Sequence, residues 1–238
     1  MSSKRVEQQS AFVLHTHPWR ETSYVVDMFC REHGRVAMVA KGARRPRAAL
    51  RGVLLAFQPL EIGWSGAGEL KTLVAAEWQG GQPMLAGSAL MCGYYANELL
   101  VRLLPREDAH PRLFDAYASL LRRLSANAPQ DVALRTFELV LLQELGYAPT
   151  FDTDEHGDAV RPECDYLFII ERGPVLATDP EHDEATLSGR VLLDLAREDL
   201  SNPETLAQAK NLMRRLIAHL VGARALESRR IFMELQEL

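Results

Sequence analysis

Thr22–Lys41 reads TSYVVDMFCREHGRVAMVAK, and its pattern decides the first part of the fold. Two runs, Thr22–Phe29 and Gly34–Lys41, stand on either side of a turn signal at His33-Gly34. Their β-branched and aromatic residues suit a pleated, half-buried surface. Ser23, Val25 and Asp27 alternate with Tyr24, Val26 and Met28, which predicts that one face of the strand is wetter than the other. Three further runs have the same character: Ala11–His15 before, Phe57–Trp64 and Leu70–Trp78 after. His17-Pro18 and the stretch from Gly63 to Gly68 punctuate them. Five short strands in about 70 residues predict a small barrel. The OB-fold is the five-stranded barrel that binds oligonucleotides, and an SH3-like barrel fits the strand count nearly as well.

Beyond Pro83 the period changes. Leu85, Ala89, Cys92, Ala96, Leu99 and Leu103 fall on one face of a helix that ends near Pro105. Further helices are expected over Pro111–Leu124 and from Pro129 to Gly146, the latter apolar almost all round and therefore central. Asp152–Cys164 reads as an acidic loop, and Tyr166–Ile170 with Pro174–Ala177 as a small hairpin. Ser188–Arg197 is another helix. A longer one is capped by Asn202, carries Pro203 at its first position and runs to Val221, and Ser228–Leu238 forms a last short helix. The fold class is α+β and multidomain: a barrel domain over 1–80 and a helical domain over 81–238 with an irregular, hairpin-containing insert at 151–184.

The 238 residues, 47% hydrophobic and 25% charged, suffice for one large domain or two ordinary ones with a proper core. The N-terminus has no sustained apolar region of the kind a secretory signal needs. No apolar run approaches the roughly 18–20 residues of a membrane span. Cys30, Cys92 and Cys164 are isolated and odd in number, which fits a reducing cytoplasm. Charge is divided unevenly: residues 1–80 hold 11 Lys and Arg against 7 Asp and Glu, whereas 81–238 hold 16 against 25. Within the second part, 151–184 holds 2 basic and 11 acidic residues, an unlikely partner for a polyanion.

Against that acidic background, Lys41–Arg51 (KGARRPRAALR) carries Lys41, Arg44, Arg45, Arg47 and Arg51 and no acid. It lies between the third and fourth candidate strands, and its spacing is irregular rather than helical. The planar fork of arginine suits bidentate phosphate contact, so the loop is the candidate nucleic-acid contact, with a solvated surface loop as the alternative. Arg20, Arg35 and Lys71 are expected to extend it. Tyr24, Phe29 and Trp64 are candidate base-stacking rings, although aromatic residues in small barrels are more often core.

Chemistry of other kinds finds little support. There is no GxxxxGK[ST] loop, GxSxG elbow or HExxH pair, so no enzyme and no cofactor is expected. His15 and His17 lack further ligands. His156, Cys164 and His182 lack the cysteine pairs of a zinc site. No metal is therefore expected. Arg135 shares a helix face with Glu138, Leu139 and Leu142. It forms either an ion pair with Glu138, worth ~0.3–0.5 kcal/mol if exposed, or a cation over an apolar groove that receives the end of an acidic, hydrophobic peptide. Lys210, Arg214 and Arg215, with Arg224, Arg229 and Arg230, form either a second phosphate-facing surface or a wet face.

AFVLHTHPWRETSYVVDMF, GRVAMVAKGARRPRAALRGVLLAFQPLEI and GELKTLVAAE, followed by YYANELLVRLLP, LRTFELVLLQELGY and SRRIF, together resemble the RecO family of bacterial recombination and repair proteins. The likeness spans nearly the whole chain in the right order and is weakest in 151–184. It implies an N-terminal OB-fold, a helical C-terminal domain and a cytoplasmic, nucleoid-associated protein. It also implies a mediator that binds single- and double-stranded DNA, anneals complementary strands and, with RecR, loads RecA onto DNA coated by single-strand binding protein. It matches Lys41, Arg44, Arg45, Arg47 and Arg51 to the family's basic loop, and places Arg135 where the coating protein's acidic C-terminal tail is received. Many relatives carry a four-cysteine zinc module after the third helix, where only Cys164 remains here. An assembly adaptor that binds no DNA, and an RNA-binding OB module, are the rival readings.

Overall fold

The computed structural model describes residues 5–178, 186–222 and 224–236. Five strands close a barrel: β1 (Arg5–Trp19), β2 (Ser23–Cys30), β3 (Gly34–Ala40), β4 (Leu60–Ser65) and β5 (Leu70–Trp78). Their order around it is β1-β2-β3-β5-β4. β1 is long enough to pair with both β2 and β4, bending at bulges between Val6 and Gln9 and between Val13 and His15. β3 and β5 run parallel and all other neighbours antiparallel. This is the topology of an OB-fold, which decides between the two barrels that the strand count admits. Ala11, Val13, Val26, Met28, Val36, Met38, Leu60 and Ile62 fill the interior.

The wetter face predicted for β2 does not form, because Asp27 and Phe29 are as buried as Val26 and Met28. A helix covers Phe29, and the Arg106 guanidinium lies 3.8 Å from Asp27. α2 (Gly87–Leu103) and α3 (Pro111–Ser125) follow the barrel, and α3 turns Phe114 and Tyr117 onto Phe12 and Phe29 with ring centroids 5.2–6.1 Å apart. Below these rings Asn97 of α2 donates to the Leu14 carbonyl at 2.9 Å and accepts from the Tyr117 hydroxyl. At the β2–β3 turn Gly34 has φ +63°, and a Cβ there would lie 1.8 Å from the Asp108 carbonyl oxygen, so only glycine admits that close approach.

The chain forms two compact units, Met1–Ala128 with Ala225–Leu238, and Pro129–Arg224. The composition change near Gly80–Pro83 thus falls inside the first unit, where α2 and α3 belong with the barrel. The last helix, α7 (Glu227–Gln236), also belongs there. The Glu98 carboxylate holds its start, accepting from the Glu227 and Ser228 amides at 2.9 Å and the Ser228 hydroxyl at 2.6 Å, with Arg102 alongside at 2.6 Å. An anion at a helix N-terminus is also favoured by the helix dipole. Burial raises the Glu98 pKa, but the Ser228 and Glu227 donors and Arg102 outweigh it and hold the value below the ordinary glutamate range. The tether is therefore complete above that range and is lost as pH falls through the lowered value. The stability advantage of the wild type over Glu98→Gln should shrink between roughly pH 5 and pH 3. An advantage constant across that window in thermal melts would contradict this.

The second unit holds α4 (Gln130–Glu144), the sheet β7-β6-β8 (Gly173–Leu176, Asp165–Ile169, Thr186–Ser188), α5 (Gly189–Ala196) and α6 (Pro203–Val221). β8 was not apparent in the sequence, being three residues long. Ser188 caps α5 and Asn202 caps α6, each accepting a backbone N–H. The acidic insert is more than a solvated loop. Phe151, Val160, Tyr166 and Phe168 enter the core that α4, α5 and α6 share. At Gly189 a Cβ would lie 1.9 Å from the Arg161 carbonyl oxygen, so the insert packs directly on the start of α5.

Candidate nucleic-acid interface

The segment between β3 and β4 is built from its anchors outward. Ala43 is fully buried in the barrel, and Leu50, Val53 and Leu54 pack against the same core. Fixing these apolar points forces the intervening Arg44, Arg45 and Arg47, with Lys41 and Arg51 at either end, into solvent. The stretch is more regular than its spacing suggests. Turns close from Arg45 to Gly42, from Ala48 to Arg45 and from Arg51 to Ala48 at 3.0–3.1 Å, and they lead into the short helix α1 (Ala49–Val53). Arg51 therefore lies on a helix. Gly42, at φ +70°, leaves room for the Arg45 side chain to fold over it.

Three hydrogen bonds stitch this segment to the β1–β2 turn. The Arg44 amide donates to Thr22 O at 2.9 Å, the Arg44 guanidinium to Arg20 O at 3.1 Å, and the Gly42 amide to Ser23 Oγ at 3.3 Å. The Arg44 guanidinium lies 6.0 Å above the Tyr24 ring, and that of Arg20 lies 6.0 Å above Trp19. Among the described residues no carboxylate forms an ion pair with Lys41, Arg44, Arg45, Arg47, Arg51 or Arg20. Six exposed cations therefore share one end of the barrel, Arg20 being joined to the segment by the bond from Arg44 to its carbonyl.

Two expected members of the patch lie elsewhere. Lys71 is buried, its amine taken at 2.7 Å by both Gly68 O and Glu107 Oε1. Arg35 is half-buried and donates to the Val101 carbonyl. Two of the three suggested stacking rings are core: Phe29 lies under Phe114 and Tyr117, and Trp64 is packed in the barrel. Tyr24 alone is partly exposed. The ring that sequence reasoning missed is Trp19, 42% exposed beside the cations; its place in the alternation of β1, after His15 and His17, was the available signal.

In the second unit Arg135 Nη2 pairs with Glu138 at 2.6 Å, but Glu138 is fully buried and Arg135 only 11% exposed. The pair is therefore no weak surface bridge. Breaking a buried ion pair costs about 3–5 kcal/mol. Leu139 and Leu142, expected to floor a groove, are sealed in the core. The basic residues of the second surface are dispersed. Lys210 and Arg214 are exposed on α6, Arg215 donates to Phe168 O at 3.0 Å, and Arg230 is paired with Glu227 and Glu234 on α7 beside exposed Arg229. Lys210, Arg214, Arg215 and Arg224 lie in the second unit, Arg229 and Arg230 in the first. Among the described residues no group of three or more His, Cys, Asp and Glu is placed to hold a metal; His182 lies outside them.

A five-stranded OB barrel bearing an unneutralised cationic segment, joined to a helical part, defines a multidomain OB-fold protein. Two family models divide the chain between them: "Recombination protein O N terminal" matches residues 1–81 and "Recombination protein O C terminal" residues 84–230. A DNA repair protein RecO from Aromatoleum aromaticum is 59% identical, with 100% of each chain covered. That of Azoarcus sp. strain BH72 is 57% identical over 99% of this chain and 98% of its own. That of Dechloromonas aromatica is 52% identical over 98% of both. The chain belongs to the RecO family of DNA repair and recombination proteins. Among the described residues no helix is long and apolar enough to cross a membrane.

Proposed function

We propose that this protein is a non-enzymatic recombination mediator that binds single- and double-stranded DNA through Lys41, Arg44, Arg45, Arg47 and Arg51. In this reading it anneals complementary strands and, with RecR, helps load RecA onto DNA coated by single-strand binding protein. The observation that carries the reading is the group of exposed cations on an OB barrel, with no acid paired to them among the described residues. Cations that hold two backbones leave base edges free to pair, and counterion release drives the binding. Annealing then requires no nucleotide hydrolysis. The experiment is annealing of complementary labelled oligonucleotides without ATP. Acceleration by the protein, suppressed at high salt, is expected. No acceleration at any salt would overturn the proposal and leave an assembly adaptor.

Arg135 is the residue proposed to receive the acidic tail of the coating protein. With Leu139 and Leu142 buried, these leucines support the helix and the contact falls to the accessible edge of the guanidinium. Arg135→Ala should weaken an acidic-hydrophobic C-terminal peptide at least roughly tenfold, as loss of a charge-assisted hydrogen bond does, while DNA affinity is retained. Because the same change also removes a partner of Glu138, Arg135→Lys is the companion variant. It keeps the charge but loses the fork, and calorimetry should place it between the other two. Equal peptide affinity in all three would show that the tail binds elsewhere.

A further inference from the structure

The outer face of the barrel is only partly covered. α3 seals it over Phe12 and Phe29, but further along β1 the side chains of His15, His17 and Trp19 are all exposed. These are alternate residues on a run whose pairing with β2 is unbroken, from His15 opposite Asp27 to Trp19 opposite Ser23, so the three rings point the same way. His15 and His17 pack on each other, centroids 4.0 Å apart and planes 38° apart. Trp19 follows, with Arg20 over it. Beside this stripe the half-buried Val25 and Val39 continue the face across β2 and β3. Asp27 and the Arg106 guanidinium, 3.8 Å apart, mark its inner end. Its outer end is the turn to which Arg44 is stitched.

Three exposed rings in line, ending at unneutralised arginines, are poorly explained by the fold, since none enters a core. Desolvation and the neighbouring His17 lower the pKa of His15 against the opposing pull of Asp27, so at neutral pH this imidazole is uncharged and presents an aromatic face.

We propose that the His15–His17 pair and Trp19 form a base-stacking ladder for single-stranded DNA, with Arg20 and Arg44 holding the phosphates of the same strand. The charge of the flanking arginines selects a polyanion, and the rings select one whose bases are open. His15 and His17, 4.0 Å apart, act as one platform and Trp19 as the next. A base can stack on either only when it is out of the duplex stack, so the ladder discriminates against duplex. The basic segment gives general adhesion, and the ladder adds preference for an unpaired, extended strand.

The inference rests on DNA binding by the basic segment, and the test separates the two. The full-length protein is titrated with oligo-dT and with an abasic phosphodiester strand of equal length, which has the charges but nothing to stack. The wild type should favour oligo-dT, by about 5- to 150-fold for each platform used. Trp19→Ala, and separately His15→Ala with His17→Ala, should each shrink that ratio, and Trp19→Phe should restore part of it. Oligo-dT should also quench tryptophan fluorescence in the wild type more than in Trp19→Phe. A wild type that binds both strands equally, or a ratio unmoved by the substitutions, overturns the ladder and leaves the basic segment standing. Binding to neither strand at low salt overturns both.

Discussion

Arg44→Ala, Arg45→Ala and Arg47→Ala combined should lower affinity for a single strand on the order of 100-fold at low salt, and should flatten its salt dependence. Each phosphate neutralised on a single strand contributes about 0.7 to the slope of log K against log salt. Removing three cations should therefore make the slope shallower by about 2. The flattening discriminates better than the loss, because a misfolded protein loses affinity without a defined change in counterion number. Folding should survive, since all three side chains are exposed and the buried anchors Ala43 and Leu54 are untouched. Arg44 contributes one hydrogen bond to Arg20 O, a small loss beside the electrostatic one. An unchanged slope with unchanged melting would place the DNA contact elsewhere.

The second large effect is on stability. Asn97→Ala should destabilise the first unit by about 3 kcal/mol, from two buried hydrogen bonds and the volume removed. Asn97 is 3% exposed and links the β1 backbone to α3 by donating to Leu14 O and accepting from the Tyr117 hydroxyl. Burial raises the Tyr117 pKa far above its ordinary value, so this hydroxyl stays protonated and remains a donor at any working pH. Tyr117→Phe removes one of the two bonds and should cost about half as much. Denaturant melts measure both. A loss below about 1 kcal/mol for Asn97→Ala would show that the network contributes little.

The barrel was legible in the sequence because its strands are short β-branched runs between turn signals, and five of them admit few closed arrangements. Helices α4 and α6 were legible for similar reasons, an apolar run in one case and the Asn202-Pro203 start in the other. What local pattern does not record is the partner of each face. Ser23, Val25 and Asp27 read as the wetter face of β2, but α3, more than 80 residues further along the chain, covers Phe29 on that same face. The same limit explains Lys71, whose acid Glu107 is remote in sequence, and Arg135, whose pairing with Glu138 was foreseen but not its burial. The basic segment was legible as charge alone. Its stitching to the β1–β2 turn, which brings Arg44 to Arg20 and Tyr24, depends on hydrogen bonds that composition cannot signal.

The central claim is that the six exposed cations at one end of the barrel are the DNA contact. A fluorescence titration of the wild type with a labelled single strand, repeated over several salt concentrations, tests it most directly. Six cations each neutralising one phosphate predict a slope near −4. A flat salt response, or no binding in dilute buffer, would contradict the account.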